Sequence, residues 1–233
     1  MAKFYLFDGD KILFQQKANS SSFETISSKL INENPEIKVI IYSDVVGMIV
    51  ESLKKYADKI KIIPISSQIR LPFTNSYQNQ NKLGADRILL IASAAKAYPK
   101  SNVLVIDLGS CITYDFLDQE SIYQGGAISP GFMMRYKALS HFTANLPIVN
   151  YKTPKTPQGK STFQAIHSGV YFAIFDEINS RIEYYKKKYK SLTVVLTGGD
   201  ANKLPKTLKN SIFASPNFIA DGMLHLLKLN TDL

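Results

Sequence analysis

The run Val103-Leu104-Val105-Ile106-Asp107-Leu108-Gly109-Ser110-Cys111-Ile112-Thr113 constrains the fold of this chain more than any other stretch. Its opening apolar residues form a short buried strand, and that strand delivers a carboxylate, a glycine and small hydroxyls to its end. The glycine lets backbone N–H groups come close to an anion. The hydroxyls of Ser110 and Thr113 can donate to phosphate oxygens. Asp107 would repel a phosphate directly, so its useful task there is to hold a cation that bridges to it. The same letters also describe an ordinary strand followed by a turn, and on the pattern alone both readings stand.

The strand belongs to an alternation of strands and helices. Phe4–Phe7 and Lys11–Gln15 flank Asp8-Gly9-Asp10 and read as a β-hairpin. Phe23–Asn32 is spaced as a helix, Val39–Tyr42 as a strand, Val46–Tyr56 as a helix and Ile60–Ile65 as a strand. Pro72 to Lys82 is a polar loop, and Gly84 to Tyr98 an alanine-rich helix stopped by Pro99. Thr113–Leu117 returns from the opening strand, Ser121–Gly126 is a third strand running into glycines, and Met133–Leu146 is a helix ended by Pro147. Beyond a Pro/Lys/Thr-rich linker at Asn150–Lys160, Phe163–Tyr189 is the longest helix, with Ile166, Val170, Ile174, Ile178 and Ile182 at every fourth position. Val194–Thr197 leads into Gly198-Gly199-Asp200, then a short helix at Leu204–Lys209, a strand at Ile212–Ala214 and a closing helix at Ile219–Leu229. The halves share one grammar, which predicts an α/β protein of two lobes, 1–100 and 101–233, with a ligand cleft between them.

Composition narrows the function. The chain has 233 residues, enough for a sizeable core, and no run approaches the length of a membrane span. The N-terminus lacks a signal-peptide layout, because Lys3 is followed by few apolar residues before Asp8. The one cysteine, Cys111, fits a reducing compartment, and His141, His167 and His225 are too scattered to announce a zinc site. The net charge of +9 would suit a nucleic-acid binder or a protein that attracts small anions. Its lysines are dispersed, with the densest groups in or beside predicted helices and no groove-reading motif beside them, so nucleic-acid binding is the weaker choice.

Three further motifs can carry chemistry. Gly84-Ala85-Asp86-Arg87 opens the alanine-rich helix. Asp86 there can simply favour the helix dipole, or it can accept the proton of a hydroxyl nucleophile while Arg87 clamps an anionic group. An ordinary aspartate is a weak base, which suffices for phosphoryl transfer, where orienting the hydroxyl matters more than early deprotonation. Gly125-Gly126-Ala127-Ile128-Ser129-Pro130-Gly131 is a glycine-rich loop after a strand, able to approach a ligand or merely to turn. Thr197-Gly198-Gly199-Asp200-Ala201 lies between a strand and a helix, a usual place for nucleotide contact in open α/β folds. A Walker A loop is absent.

Taken in order, Gly84–Arg87, Ile106–Ser110, Gly125–Gly131, Asn145-Leu146-Pro147, Ser161-Thr162 with Ala165-Ile166 and Ser168-Gly169, and Thr197–Ala201 resemble type III pantothenate kinase. The resemblance covers nearly all of the chain from about Asn75 onward. It implies two ribonuclease-H-like lobes with mixed sheets flanked by helices and ATP in the cleft between them, as in the acetate and sugar kinase, heat-shock chaperone and actin superfamily. It implies ATP-dependent phosphorylation of pantothenate, the first step of coenzyme A synthesis, by a cytoplasmic homodimer using Mg²⁺ and a monovalent cation, potassium or ammonium. Carried over by resemblance, Asp86 is the catalytic base, Tyr77, Gly84, Ala85, Asp86, Arg87 and Thr162 contact pantothenate, Gly109 and Ser110 contact ATP, and Asp107 holds the monovalent cation.

Two departures stand out. The family usually reads Asp-Phe-Gly-Thr-Ala-Thr-Thr where this chain has Asp107 to Thr113; Ser110 keeps a hydroxyl and Ile112 removes one. The family's opening strand with its Asp-x-Gly-Asn-Thr phosphate loop has no counterpart, so the chain is expected to start at the hairpin that follows it. Two alternatives accompany the kinase reading: a transcriptional accessory factor, since the family has also been labelled Bvg accessory factor, and a catalytically impaired kinase fold.

Overall fold

The computed structural model describes residues 2–44, 49–205, 213–214 and 217–231. The chain forms two compact units, Met1–Lys96 with Ile219–Leu233, and Ala97–Phe218. The C-terminal helix thus belongs with the first unit, whereas the sequence reading grouped it with residues 101–218.

In the first unit, β1 (Ala2–Asp8) and β2 (Lys11–Ala18) pair antiparallel, and Asp8 opposite Lys11 leaves a two-residue turn. Gly9 takes φ +56° there, the left-handed conformation that lets so tight a turn follow the twist of its strands. The Phe4 ring stacks on Phe23, the first residue of α1 (Phe23–Glu33), with centroids 5.2 Å apart. β3 (Val39–Tyr42) and β4 (Lys61–Pro64) form a separate parallel pair, and the crossover that such a pair requires contains α2 (Ile49–Lys54). Residues 46–48 of the helix expected over Val46–Tyr56 lie outside the described residues. The expected loop 72–82 is interrupted by β5 (Thr74–Asn75) and a 3-10 turn at Gln80–Lys82. α3 (Ala85–Ala97) is buried at every position from Arg87 to Ala94, so it is a core helix without a solvent face along that stretch.

In the second unit, β6 (Val103–Leu108), β7 (Cys111–Leu117) and β8 (Ile122–Pro130) form an antiparallel meander. On the other side of β6 lies β9 (Thr193–Thr197), parallel to it, and then β10 (Phe213–Ala214), parallel to β9. The resulting order β8-β7-β6-β9-β10 is a mixed sheet of the kind expected for a ribonuclease-H-like lobe. Alternate residues of β6 and β7 (Leu104, Ile106, Leu108; Ile112, Tyr114, Phe116) join one core with Ile166, Val170, Ile174, Ile178 and Ile182 of α5 (Thr162–Lys188). The period of two on the strands meets the fourfold spacing on the helix, and each fully buried aliphatic chain contributes about 1.5–3 kcal/mol. α4 (Phe132–His141) follows β8 directly.

The stretch 125–130 corrects the sequence reading. It is not a loop: β8 runs through it, pairing Gly126, Ala127, Ile128, Ser129 and Pro130 with Asp115 through Cys111. The sheet neighbour overrides the local preference of the glycines, and their freedom is spent elsewhere. Gly125 takes φ +90° beside the register slip between Asp115 and Leu117. Of the short helix expected over Leu204–Lys209, residues 206–209 lie outside the described residues, and a 3-10 turn occupies Ala201–Lys203 just before it. Ile212 likewise lies outside. α6 (Phe218–Leu229) returns to the first unit, where a Cβ added at Gly222 would collide with the Leu89 carbonyl and the Ser93 hydroxyl of α3. That glycine is what allows α6 to cross α3 so closely.

Candidate active site

Five of the expected site residues come together in the first unit at the start of α3. The carboxylate of Asp86 folds back over the helix start, where Oδ1 accepts the Arg87 backbone N–H at 2.9 Å. A side chain at Gly84 would bring its Cβ to 2.6 Å from that oxygen, so glycine at 84 leaves the room that this rotamer needs. Gly84 still contributes its carbonyl, which accepts the Ile88 N–H at 3.0 Å and begins the helix beside Ala85. Asp86 is exposed, whereas Arg87 is buried to 5% exposure with its guanidinium 5.7 Å from the centre of the Tyr77 ring. A stacked cation of this kind is attracted by the ring face and held in orientation. The Tyr77 loop is fixed in turn, since Asn75 Oδ1 accepts the Tyr77 N–H at 3.0 Å and the Asn75 carbonyl accepts from Gln80 Nε2 at 2.8 Å. The result is an exposed carboxylate next to a preorganised guanidinium and an aromatic wall.

A second group forms at the ends of β6, β7 and β9 in the other unit. Asp107 stands opposite Thr113 on one side and Thr197 on the other, so the three side chains share one face of the sheet in a row. Asp107 is half-buried, and both threonines are 6% exposed. Thr113 Oγ1 is buried with no hydrogen-bond partner among the described residues, a group that calls for an explanation in a folded protein. After Asp107 the chain turns through Gly109 and exposed Ser110, and the Gly109 N–H closes the turn on the Cys111 carbonyl at 2.9 Å. Gly198 has φ +98°, and a Cβ there would lie 2.5 Å from Asp107 Oδ1. The Asp200 N–H, two residues on, donates to the Leu108 carbonyl at 2.9 Å. The Thr197–Asp200 turn therefore wraps the Asp107 carboxylate from the side, a close approach that only glycine permits.

The row suits a hard cation. One carboxylate, two hydroxyls and nearby carbonyls are all oxygen donors, and a single fixed negative charge matches a monovalent ion or a metal already carried by phosphates. No group of three or more His, Cys, Asp or Glu is placed to hold a metal among the described residues. Near the same turn, Lys203 pairs with Asp200 at 2.5 Å and lies 4.6 Å from the Tyr151 ring centre and 5.3 Å from that of Phe132. Thr162 is brought into neither group: it is exposed at the first position of α5, whose start Ser161 caps by accepting the Gln164 N–H at 3.3 Å.

Sequence reading missed Thr197 as a partner of Asp107, and it missed a polar cluster built from Tyr114, Ser129, Arg135 and Glu177. Thr197 could have been found by laying the two strands in parallel register. The cluster left no sequence signal, because a Glu and an Arg on predicted helices read as surface charge.

Comparison with known proteins agrees with these motifs. A family model described as type III pantothenate kinase matches residues 2–184. The chain belongs to the type III pantothenate kinase family. A relative named type III pantothenate kinase from Flavobacterium psychrophilum is 39% identical over 208 residues, 89% of this chain and 86% of its own. Another of the same name, from Christiangramia forsetii, is 39% identical over 221 residues, 95% of this chain and 89% of its own. Among solved structures, a Campylobacter jejuni protein bearing the name of the Baf family of transcriptional activators is 27% identical, with TM-score 0.59 over 87% of this chain and 89% of that one. Like other members of a kinase family, the chain is expected to use ATP, and no helix among the described residues is long and apolar enough to cross a membrane.

Proposed function

We infer that this protein transfers the γ-phosphoryl group of ATP to the primary hydroxyl of pantothenate. Family membership carries the reading, and the chemistry of the two residue groups supports it. Asp86 accepts the hydroxyl proton as the hydroxyl oxygen bonds to the γ-phosphorus; the bond from that phosphorus to the β–γ bridging oxygen breaks, and ADP leaves. Little basicity is required, because the transition state is loose and the hydroxyl is acidified only as the new bond forms. Arg87, stacked on Tyr77, pairs with the pantothenate carboxylate, and its planar fork orients the substrate so that the hydroxyl meets Asp86. Exposed Ser110 offers its hydroxyl to the phosphates, and Gly109, which has no side chain, lets them approach the turn. Asp107, with Thr113 and Thr197, would hold the monovalent cation, potassium or ammonium; that ion and Mg²⁺ would supply positive charge to the polyphosphate.

The remaining expectations join this reading. The lobes divide near residue 100. The protein acts as a cytoplasmic homodimer, and Thr162 reaches pantothenate from its exposed place at the start of α5. Dimerisation is supported by large apolar side chains left exposed in the second unit, among them Met134, Phe142, Ile148 and Phe163. The transcriptional reading has in its favour the name of the Campylobacter jejuni relative and a net charge of +9. Neither supplies a base-reading element, so the kinase reading is preferred.

The test is Asp86→Asn. The change preserves the shape of the side chain and removes the proton acceptor, so kcat should fall by about 10²–10⁴ with the melting temperature unchanged. Turnover at the wild-type rate in a folded Asp86→Asn protein would remove Asp86 from the mechanism.

A further inference from the structure

We propose that Glu177 and Arg135 are positioning residues for the phosphate-binding turn, acting through the bend between β8 and α4; this rests on the reading of Gly109 and Ser110 as ATP contacts. Glu177 projects from α5 between the fully buried Ile174 and Ile178, and three other elements converge on its carboxylate. Tyr114 of β7 donates its hydroxyl to Oε1 at 2.8 Å, and Ser129 of β8 donates to Oε2 at 3.0 Å. Arg135 of α4 donates Nη2 to the same Oε2. The pair is largely sheltered, with side chains 19% and 25% exposed for Arg135 and Glu177. Burial alone would push the Glu177 carboxyl up, but hydrogen bonds from Arg135, Tyr114 and Ser129 outweigh it and hold the group below the usual glutamate range. Glu177 is therefore charged at neutral pH.

Arg135 carries the constraint onward. Its Nε donates to the Pro130 carbonyl at 2.8 Å and its Nη2 to Ser129 Oγ at 2.8 Å, so one guanidinium grips two successive residues of the bend. The next residue, Gly131, touches the turn itself. Its N–H donates to the Ser110 carbonyl at 3.1 Å, and a Cβ there would come within 2.6 Å of that oxygen. The path from the Glu177 carboxylate to the Ser110 peptide is thus a continuous run of hydrogen bonds with little slack. A sheltered ion pair is an uncertain source of stability, and apolar side chains of similar volume often do as well. What a charged fork provides is directional hold on three acceptors at once, which the bend uses to fix the turn.

The experiment compares Glu177→Gln and Arg135→Lys with wild type in full steady-state kinetics. Glutamine keeps an acceptor for Tyr114 but turns an amide toward Arg135; lysine keeps the charge but cannot make the three bonds together. In each, KM for ATP should rise about tenfold, the scale of one charged hydrogen bond lost, while KM for pantothenate stays within about twofold. Ser129→Ala, which removes a single hydroxyl, carries the same test if Glu177→Gln does not fold. Both KM values rising together would assign the cluster a general structural role and overturn the proposal, as would no change in either. Asp107→Asn separates the two levels. If it leaves KM for ATP unchanged, the reading of the turn fails and the proposal with it; if it raises KM while the Glu177 and Arg135 variants do not, only the proposal fails.

Discussion

Gly198 takes φ +98° where the Thr197–Asp200 turn passes the Leu108 backbone and the Asp107 carboxylate at a distance no side chain tolerates. Gly198→Ala meets both costs, left-handed strain and collision with the Leu108 backbone and the Asp107 carboxylate, and relieving the collision means shifting the end of β6 that carries Asp107. The substitution should destabilise the protein by about 1–3 kcal/mol in urea unfolding and raise KM for ATP. A variant with wild-type stability and wild-type KM would show that the turn does not constrain Asp107. At this scale the sequence was legible where chemistry is compressed into neighbours. Asp86 with Arg87, and Asp107 with Gly109 and Ser110, could be singled out from order and residue type. Glu177 could not, because its meaning comes from Tyr114, Ser129 and Arg135, which are distant in the chain and meet only in the folded unit.

The elements are most legible where hydrophobic period and length agree. The fourfold isoleucine spacing of α5 and the apolar run of β6 each appear in the core as expected. Gly125 and Gly126 signal a turn locally, yet pairing with β7 keeps β8 going to Pro130. α6 was found as a helix, but its partner could not be foreseen; the close crossing at Gly222 depends on α3 presenting Leu89 and Ser93 to it. His225 on α6 gives that packing a pH dependence. Burial, and then the charge of Lys96, lower its pKa below the ordinary 6.5, so the unfolded chain takes up a proton before the folded one. The stability gained by keeping His225 neutral is complete above its unfolded value and is lost as pH falls through the depressed folded value. Urea midpoints should therefore decline from about pH 7 toward pH 5, and His225→Gln should flatten that decline. An equal slope in the variant would assign the effect to other groups.

For the whole molecule, the mixed sheet of the second unit is what the family resemblance implies, and the α/β class follows from the alternation of strands and helices along the chain. The membership of each unit does not follow from it, since the last helix joins the first unit across the length of the second. The candidate site residues divide along the same lines. The carboxylate, guanidinium and aromatic ring suited to an alcohol with an anionic tail lie in the first unit, and the glycine turn with its oxygen-lined row lies in the second. The kinase account assigns both groups to one reaction. Its most direct test is to incubate the full chain with ATP, Mg²⁺, potassium and pantothenate, following ADP by a coupled assay and pantothenate by mass spectrometry. The account predicts ADP release that depends on pantothenate, with one phosphate ester formed on pantothenate for each ADP. ADP formed at the same rate without pantothenate, or pantothenate recovered unphosphorylated, would contradict it.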